Sequence, residues 1–343
     1  MRNGFSHNPF MMGYNNEIFE EDEELGFKFP NGKLITSMDF VYLKELMSLL
    51  QGNEIIILNM GDSSTSGWNS NVVTEGANKP NALFFTYKTY SQLIEEKSNC
   101  KIINAGVPGY SSLQGKKYLQ RLLKEFSKNN ILVDYVTIYF GNNDSTYNLH
   151  EDKVRLEGKK ASLSNNIGFR VSIEDFRKNI LEMIEICKDY GTVPILIIPP
   201  INYDWKPGIR SEFFKGEFEE ALAKLSSSAV KNALLQSIEL YKLREYQKAK
   251  ELDLVLPRIK DAYIQTLKDI SKEHRIKVID VQDKIPLEET SEFFADYCHP
   301  LEKVNSMIVK EILKHIKPND KINVMRGGIR EDFDLPDKTY TLY

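Results

Sequence analysis

The stretch EIIILNMGDSSTSGW, residues 54–68, decides the fold. Four consecutive aliphatic side chains, Ile55, Ile56, Ile57 and Leu58, run without polar alternation, and the run stops at Gly61-Asp62-Ser63. A short apolar run bounded by turn residues predicts a strand buried on both faces, as central parallel strands are. A serine on the turn leaving such a strand sits at the carboxyl edge of the sheet, where open α/β folds place their ligands. If Ser63 is a nucleophile, the rest of the chain must supply a base, a carboxylate to orient it and donors for an oxyanion.

Outward from this strand the pattern alternates. Residues 81–96 predict an amphipathic helix with Leu83, Phe84, Tyr87, Tyr90, Leu93 and Ile94 along one side. A strand over 100–104 ends in Ala105-Gly106, and a helix over 111–126 is capped by Ser111 or Ser112. A strand over 135–140 runs into Gly141-Asn142-Asn143-Asp144, followed by a long polar loop to about residue 168. Helix 172–190, strand 193–198, helix 263–274, strand 277–280 and helix 304–316 complete the alternation. Upstream, residues 37–50 carry a helical spacing at Met38, Phe40, Val41, Leu43, Leu46 and Leu50, with Ser37 or Asp39 as cap. Strands alternating with helices imply parallel β-α units with right-handed crossovers. The expected fold class is α/β: a flavodoxin-like three-layer α/β/α sandwich with about five parallel strands.

Two segments stand apart. Residues 1–35 form an expected N-terminal arm around the acidic cluster Glu17-Ile18-Phe19-Glu20-Glu21-Asp22-Glu23-Glu24, read as a solvated segment laid over the domain or as a docking arm. The domain proper then spans 36–343, interrupted at about 201–260 by helical patterns. Within that interruption ALLQSIELYKLREYQKAKELDLVLP has the spacing of a helical hairpin. One such unit cannot stack as a solenoid, so it is an inserted helical pair, and a surface able to receive a protein partner.

Composition narrows the function. The 343 residues are 41% hydrophobic and 11% aromatic, a globular balance. With 45 basic against 49 acidic residues the net charge is −4, which offers nucleic acid no electrostatic footprint. Three scattered cysteines, Cys100, Cys187 and Cys298, without CxxC spacing, suit a reduced intracellular protein. The N-terminus shows no apolar signal region, and no apolar run reaches the ~18 to 20 residues a bilayer requires. A cytoplasmic protein without membrane insertion is expected.

Four strand ends carry chemistry-bearing residues: Ser63, Gly106, Asn143, and Asp296-Tyr297-Cys298-His299-Pro300 beyond the last strand. A serine hydroxyl is a poor nucleophile until a base takes its proton. His299 titrates near neutrality, and Asp296, three residues before it, can meet one ring nitrogen while the other faces Ser63. The backbone N–H of Ser63, the backbone N–H of Gly106 and the side-chain amide of Asn143 are candidate oxyanion donors, each worth ~3 to 4 kcal/mol where measured. Cys298 is read as a buried small hydrophobe in preference to a second nucleophile or metal ligand, because no partner has ligand spacing. His150, His274 and His315 read as surface or loop residues. Tyr203 and Trp205, after the fourth strand, are candidates for stacking on a sugar or acyl chain at the pocket rim, with ordinary loop packing as the rival reading.

Gly61-Asp62-Ser63, Gly106, Gly141-Asn142-Asn143-Asp144 and Asp296-x-x-His299-Pro300 resemble the four blocks of the SGNH (GDSL) hydrolase family, in its order and at strand ends. The resemblance covers about residues 50–145, 172–200 and 276–316. It implies Ser63 as nucleophile, Gly106 and Asn143 as oxyanion donors, His299 as base and Asp296 as its partner, with Asp62 and Asp144 holding the loops. Two positions depart from the pattern: Ser64 where the family name has Leu, and Lys303 where a small residue is common. ELGFKFPNGK and NAGVPGYSSLQG are also similar to bacterial subgroups often encoded with glycoconjugate genes. The resemblance therefore implies a serine esterase removing an O-acyl group, such as O-acetyl, from a sugar or glycoconjugate-type substrate through an acyl-enzyme. An acyltransferase to a sugar or alcohol acceptor would use the same triad. A non-catalytic binding or scaffold protein is the third reading, against which the intact catalytic positions argue. Neither cofactor nor metal is expected, since His299 and the oxyanion donors handle the charge.

Overall fold

The described residues begin with a hairpin, β1 (Glu20–Asp22) and β2 (Gly26–Lys28), followed by β3 (Lys33–Ile35) and β4 (Phe40–Tyr42). The decisive run is β5 (Ile56–Gly61), and Ser63–Ser66 make a single helical turn, α1, at its end. Then come α2 (Tyr90–Lys97), β6 (Lys101–Gly106), α3 (Ser112–Lys128), β7 (Tyr135–Tyr139) and a small ladder of β8 (Tyr147–Asn148) with β9 (Gly168–Phe169). After α4 (Ile173–Asp189) and β10 (Val193–Ile197) lie α5 (Ser228–Lys242) and α6 (Tyr246–Leu252). The domain closes with α7 (Asp261–His274), β11 (Lys277–Ile279) and α8 (Glu302–Leu313). This computed structural model describes residues 19–29, 33–35, 40–42, 46–47, 50, 54–67, 88–148, 168–208 and 228–316.

Among the described residues, seven strands form one sheet in the order β11-β10-β7-β5-β6-β3-β4. The five from β11 to β6 are mutually parallel, as expected. The order reverses at β5, because the chain leaves it for β6 on one side and returns to β7 on the other. That reversal opens a crevice at the carboxyl ends of β5 and β7, where ligands bind in folds of this kind.

All six residues of β5 are buried, and successive side chains enter opposite cores. Leu58 and Met60 join Ile103, Val136, Ile138 and Leu196 beneath α3, α4 and α7. Ile57 joins Tyr139, Ile195 and Ile197 beneath α2 and α8. Each fully buried aliphatic contributes roughly 1.5 to 3 kcal/mol, so this central strand is the chief anchor of both layers. Asp134, fully buried, stitches its start: Ile56 N–H donates to Oδ2 at 2.8 Å. Ser172 caps α4, its hydroxyl accepting from Asp175 N–H at 3.1 Å.

The helix expected over 37–50 is corrected. Phe40–Tyr42 is an edge strand paired antiparallel with β3, Phe40 opposite Ile35. Phe-Val-Tyr favours an extended backbone, and an available sheet edge outweighs the helical spacing of the apolar positions. Among the described residues of that range, Leu46 and Met47 are helical.

Residues 19–29 of the expected arm lie over the domain, their apolar side chains enclosed. Phe19, Leu25, Phe27 and Phe29 are buried in the core of α3 and α4, with Phe27 edge-on to Tyr110 at 5.3 Å. Tyr110 O–H donates to Phe27 O at 2.6 Å, and Gln114 Nε2 to Leu25 O at 2.7 Å. The carboxylates of Asp22 and Glu24 grip Arg121 on α3 at 2.7 and 2.6 Å. The inserted helical pair is α5 and α6, which pack on one another. Outside the described residues lie 81–87, 1–18, 149–167 of the polar loop, the helical pattern near 218–225, His150 and the tail from 317.

Candidate active site

The turn leaving β5 is built by its own residues. Asp62 is extended, and its Oδ1 accepts from Ser64 N–H at 2.9 Å, capping α1. Gly67 closes the turn, donating to Ser63 O at 3.1 Å. Ser63 is thus the first residue of a one-turn helix, with a backbone N–H that such a helix leaves without an intrahelical partner. Beneath it a polar network crosses the sheet: Thr65 Oγ1 to Tyr90 O–H at 3.2 Å, Tyr90 to Thr137 Oγ1 at 3.2 Å, and Thr137 Oγ1 to Asn59 Oδ1 at 2.7 Å.

The loop after β11 brings the distant histidine to this turn. His299 Nε2 lies 2.7 Å from Ser63 Oγ, across 236 positions of sequence. Its Nδ1 lies 2.7 Å from Asp296 Oδ2. Asp296 Oδ1 accepts from the backbone N–H groups of Cys298 and His299, both at 2.9 Å. Asn202, following β10, donates from Nδ2 to Asp296 O at 2.8 Å. With the carboxylate accepting from Nδ1–H, Nε2 keeps a lone pair for the Ser63 proton. Burial by itself would lower the His299 pKa. The Asp296 charge and hydrogen bond, with Asp62 behind them, overcome that and hold it above the ordinary value.

Asn143 is buried beside the turn, its amide donating to Asp62 Oδ2 at 3.3 Å and Tyr110 O at 3.1 Å. Burial pushes the Asp62 carboxyl up to about 6, against the Ser64 backbone bond and the His299 charge. Asp144 ties the same loop to α3, its Oδ1 accepting from Ser112 N–H at 2.8 Å. Both aspartates therefore hold loops together.

Gly106 sits elsewhere than expected for a donor. Its N–H goes to Asn104 Oδ1 at 3.0 Å, while Asn104 Nδ2 binds Thr65 O at 2.8 Å. A Cβ at Gly106 would lie 2.4 Å from Ser66 N, so this glycine lets β6 press against α1. Four residues on, Tyr110 N–H donates to Val107 O at 3.1 Å. Gly109 in that turn has φ 80, and the Pro108-Gly109 pair at its centre is the sequence signature of a type II turn. In such a turn the third residue's N–H takes no part in the closing bond, and Tyr110 O already holds Asn143. Asn104, Gly109 and Asn202 were not singled out in the sequence; V-P-G-Y was the available signal for Gly109.

The two rim candidates part. Tyr203 is 7% exposed and belongs to the main core. Trp205 stays half-buried and meets Tyr297 edge-on at 6.4 Å, and Tyr297 lies 6.0 Å from the His299 ring. Asp296, Cys298 and His299 bring ligand-type atoms within 4.8 Å of one another. However, Nδ1 is engaged by Asp296, and burial, with Asp296 and Asp62, keeps the Cys298 thiol well above its ordinary pKa. The geometry suits proton transfer along a serine-histidine-aspartate line. No helix among the described residues is long and apolar enough to cross a membrane.

The GDSL-like lipase/acylhydrolase family matches residues 57–312. Among solved structures, the chain is similar to a lipase/acylhydrolase from Enterococcus faecalis, at 19% identity and TM-score 0.42, over 77% of this chain and 98% of that one. It is also similar to a putative acylhydrolase from Bacteroides fragilis, at 14% identity and TM-score 0.42, over 79% and 92%. A third is a catalytic mutant of the acetylxylan esterase Axe2 from Geobacillus stearothermophilus, at 14% identity and TM-score 0.36, over 77% and 95%. No curated protein matches the chain.

Proposed function

As a member of the GDSL-like lipase/acylhydrolase family this chain is a serine ester hydrolase, and we propose that it removes an O-acyl group, such as O-acetyl, from a sugar or glycoconjugate through an acyl-enzyme on Ser63. The observation that carries the assignment is the unbroken line from Ser63 Oγ through His299 to Asp296, with both links at 2.7 Å.

In the first step Ser63 Oγ attacks the ester carbonyl while its proton passes to His299 Nε2. Asp296 keeps the ring in the required tautomer and stabilises the imidazolium. The carbonyl oxygen becomes an oxyanion, met by the Ser63 N–H and by the Asn143 amide, which exchanges its long contact with Asp62 for the stronger charge. The third donor is the N–H of Gly109, in place of Gly106, whose N–H is taken by Asn104. His299 then passes its proton to the departing alcohol oxygen, and water repeats the sequence to release the acid and free Ser63.

The leaving alcohol must lie on the His299 side, because that ring protonates it. Trp205 and Tyr297 stand on that side. Aromatic faces there favour an alcohol with a flat apolar surface, as the C–H face of a sugar ring provides. Trp205→Ala is expected to raise KM for acetylated sugars several-fold while leaving hydrolysis of a small simple ester unchanged. Equal losses on both would remove the sugar-stacking role.

Labelling with a fluorophosphonate probe, wild type against Ser63→Ala, tests the nucleophile. Labelling only of wild type is expected; labelling that survives in the variant sinks the assignment.

A further inference from the structure

We propose that Arg258, where the inserted segment rejoins the domain, is a positioning residue that clamps the loop of Asp296 and His299 to the loop of Asn143. The inference rests on the Ser63-His299-Asp296 reading. Arg258 is about 1% exposed and reaches three elements at once. Its Nη2 pairs with Asp253 Oδ2 at 2.7 Å, just beyond α6. Its Nη1 donates to Asn202 O at 3.0 Å and Trp205 O at 3.1 Å. Asn202 in turn donates to Asp296 O at 2.8 Å, and its Oδ1 accepts from Thr290 O–H at 2.7 Å.

The backbone of the same segment grips the other side. Ser145 O–H donates to Arg258 O at 3.1 Å, and Ile259 N–H donates to Asn142 Oδ1 at 3.0 Å. Asn142 and Ser145 flank Asn143 and Asp144. One buried residue therefore holds, through its side chain, the loop after β10 whose Asn202 grips Asp296, and through its backbone, the loop of the Asn143 donor. A buried ion pair is weak grounds for stability, since desolvating both charges offsets their attraction. Geometry is the better account of why this one exists. The planar guanidinium fork serves two carbonyls and a carboxylate together, which a lysine ammonium on a single point cannot match.

Small displacements are costly: misplacement by about 1 Å can lose ~100-fold in rate. Arg258→Lys keeps the charge opposite Asp253 and gives up the fork. Its kcat on an acetyl ester is expected to fall at least about tenfold, with KM within roughly twofold and an unchanged circular-dichroism melt. Asn202→Ala, with the Asp253 pair intact, should show the same split. The double variant should be no slower than the slower single, because both sever one line. A folded Arg258→Lys enzyme with kcat within about twofold of wild type overturns the inference, as do losses that multiply in the double variant. Should Arg258→Lys not fold, Asn202→Ala decides alone: a kcat loss at constant KM supports the line, and an unchanged kcat overturns it. Fluorophosphonate labelling of wild type keeps the two readings apart. If wild type labels at Ser63 and Arg258→Lys labels at the same rate, the clamp falls and the nucleophile stands. If wild type does not label at Ser63, the nucleophile itself falls.

Discussion

His299 is pulled in two directions, and the outcome sets a pH dependence. Burial disfavours its cation, yet Asp296 and Asp62 raise its pKa above 6.5. Only the neutral ring can take the Ser63 proton, so kcat/KM should fall on the acid side with a midpoint above 6.5. A midpoint at or below that value in a pH-rate profile would contradict the pairing. The same shift makes the charged ring a stabilising partner of Asp296 below its unfolded pKa, and that contribution is lost as pH rises through the folded value. Asp296→Asn should leave the fold intact and lower kcat by up to about 10⁴-fold, the cost of the wrong tautomer. Asn143→Ala should lower kcat by ~10² to 10³-fold with little change in KM, because the oxyanion exists only in the transition state. Steady-state kinetics on one soluble ester would read both.

At the scale of elements, the turn after β6 and the hairpin before the sheet matter most. In the turn, Gly109 holds φ 80, a conformation a side chain resists, beside the carbonyl that orients Asn143. The hairpin reaches the same turn through the Tyr110 hydroxyl on Phe27 O. Phe27→Ala should cost about 3 to 5 kcal/mol, as large-to-small changes in closed cores do, and denaturant unfolding would measure it. Asp22 is a milder case. Burial would raise its carboxyl, but the Arg121 bonds outweigh it and hold it well below the usual range. Its contribution is therefore present above the unfolded carboxylate pKa and lost as pH falls through the folded one. With the Arg121 side chain 37% exposed, solvent screening limits the pair to about 1 kcal/mol or less.

For the molecule as a whole, the hairpin and the helical insertion are wired into the domain. Phe19, Leu25, Phe27 and Phe29 share one core with Leu58 and Val136. A chain starting at residue 30 should lose cooperative unfolding in a thermal melt; an unchanged melt would show that the first 29 residues are dispensable. The sequence determined much of this protein by itself. The apolar run ending at Leu58, bounded by Gly61-Asp62-Ser63, reads as a doubly buried strand, and Asp296-x-x-His299 is a local pairing that two intervening residues leave within reach. The Gly-Asp-Ser turn carries its own cap, so it too was legible from neighbours alone. Tertiary structure decided the rest. Phe40–Tyr42 became a strand because a sheet edge was available, which no local spacing records. Tyr203 turned inward while Trp205 stayed half-buried, because only the packed neighbours settle which of two nearby aromatics is enclosed. The Gly106 N–H went to Asn104, two residues away, and the glycine itself made room for α1. Periodicity reports which side of an element is apolar. What that side meets, and which N–H is left to meet a substrate, depends on contacts across hundreds of residues.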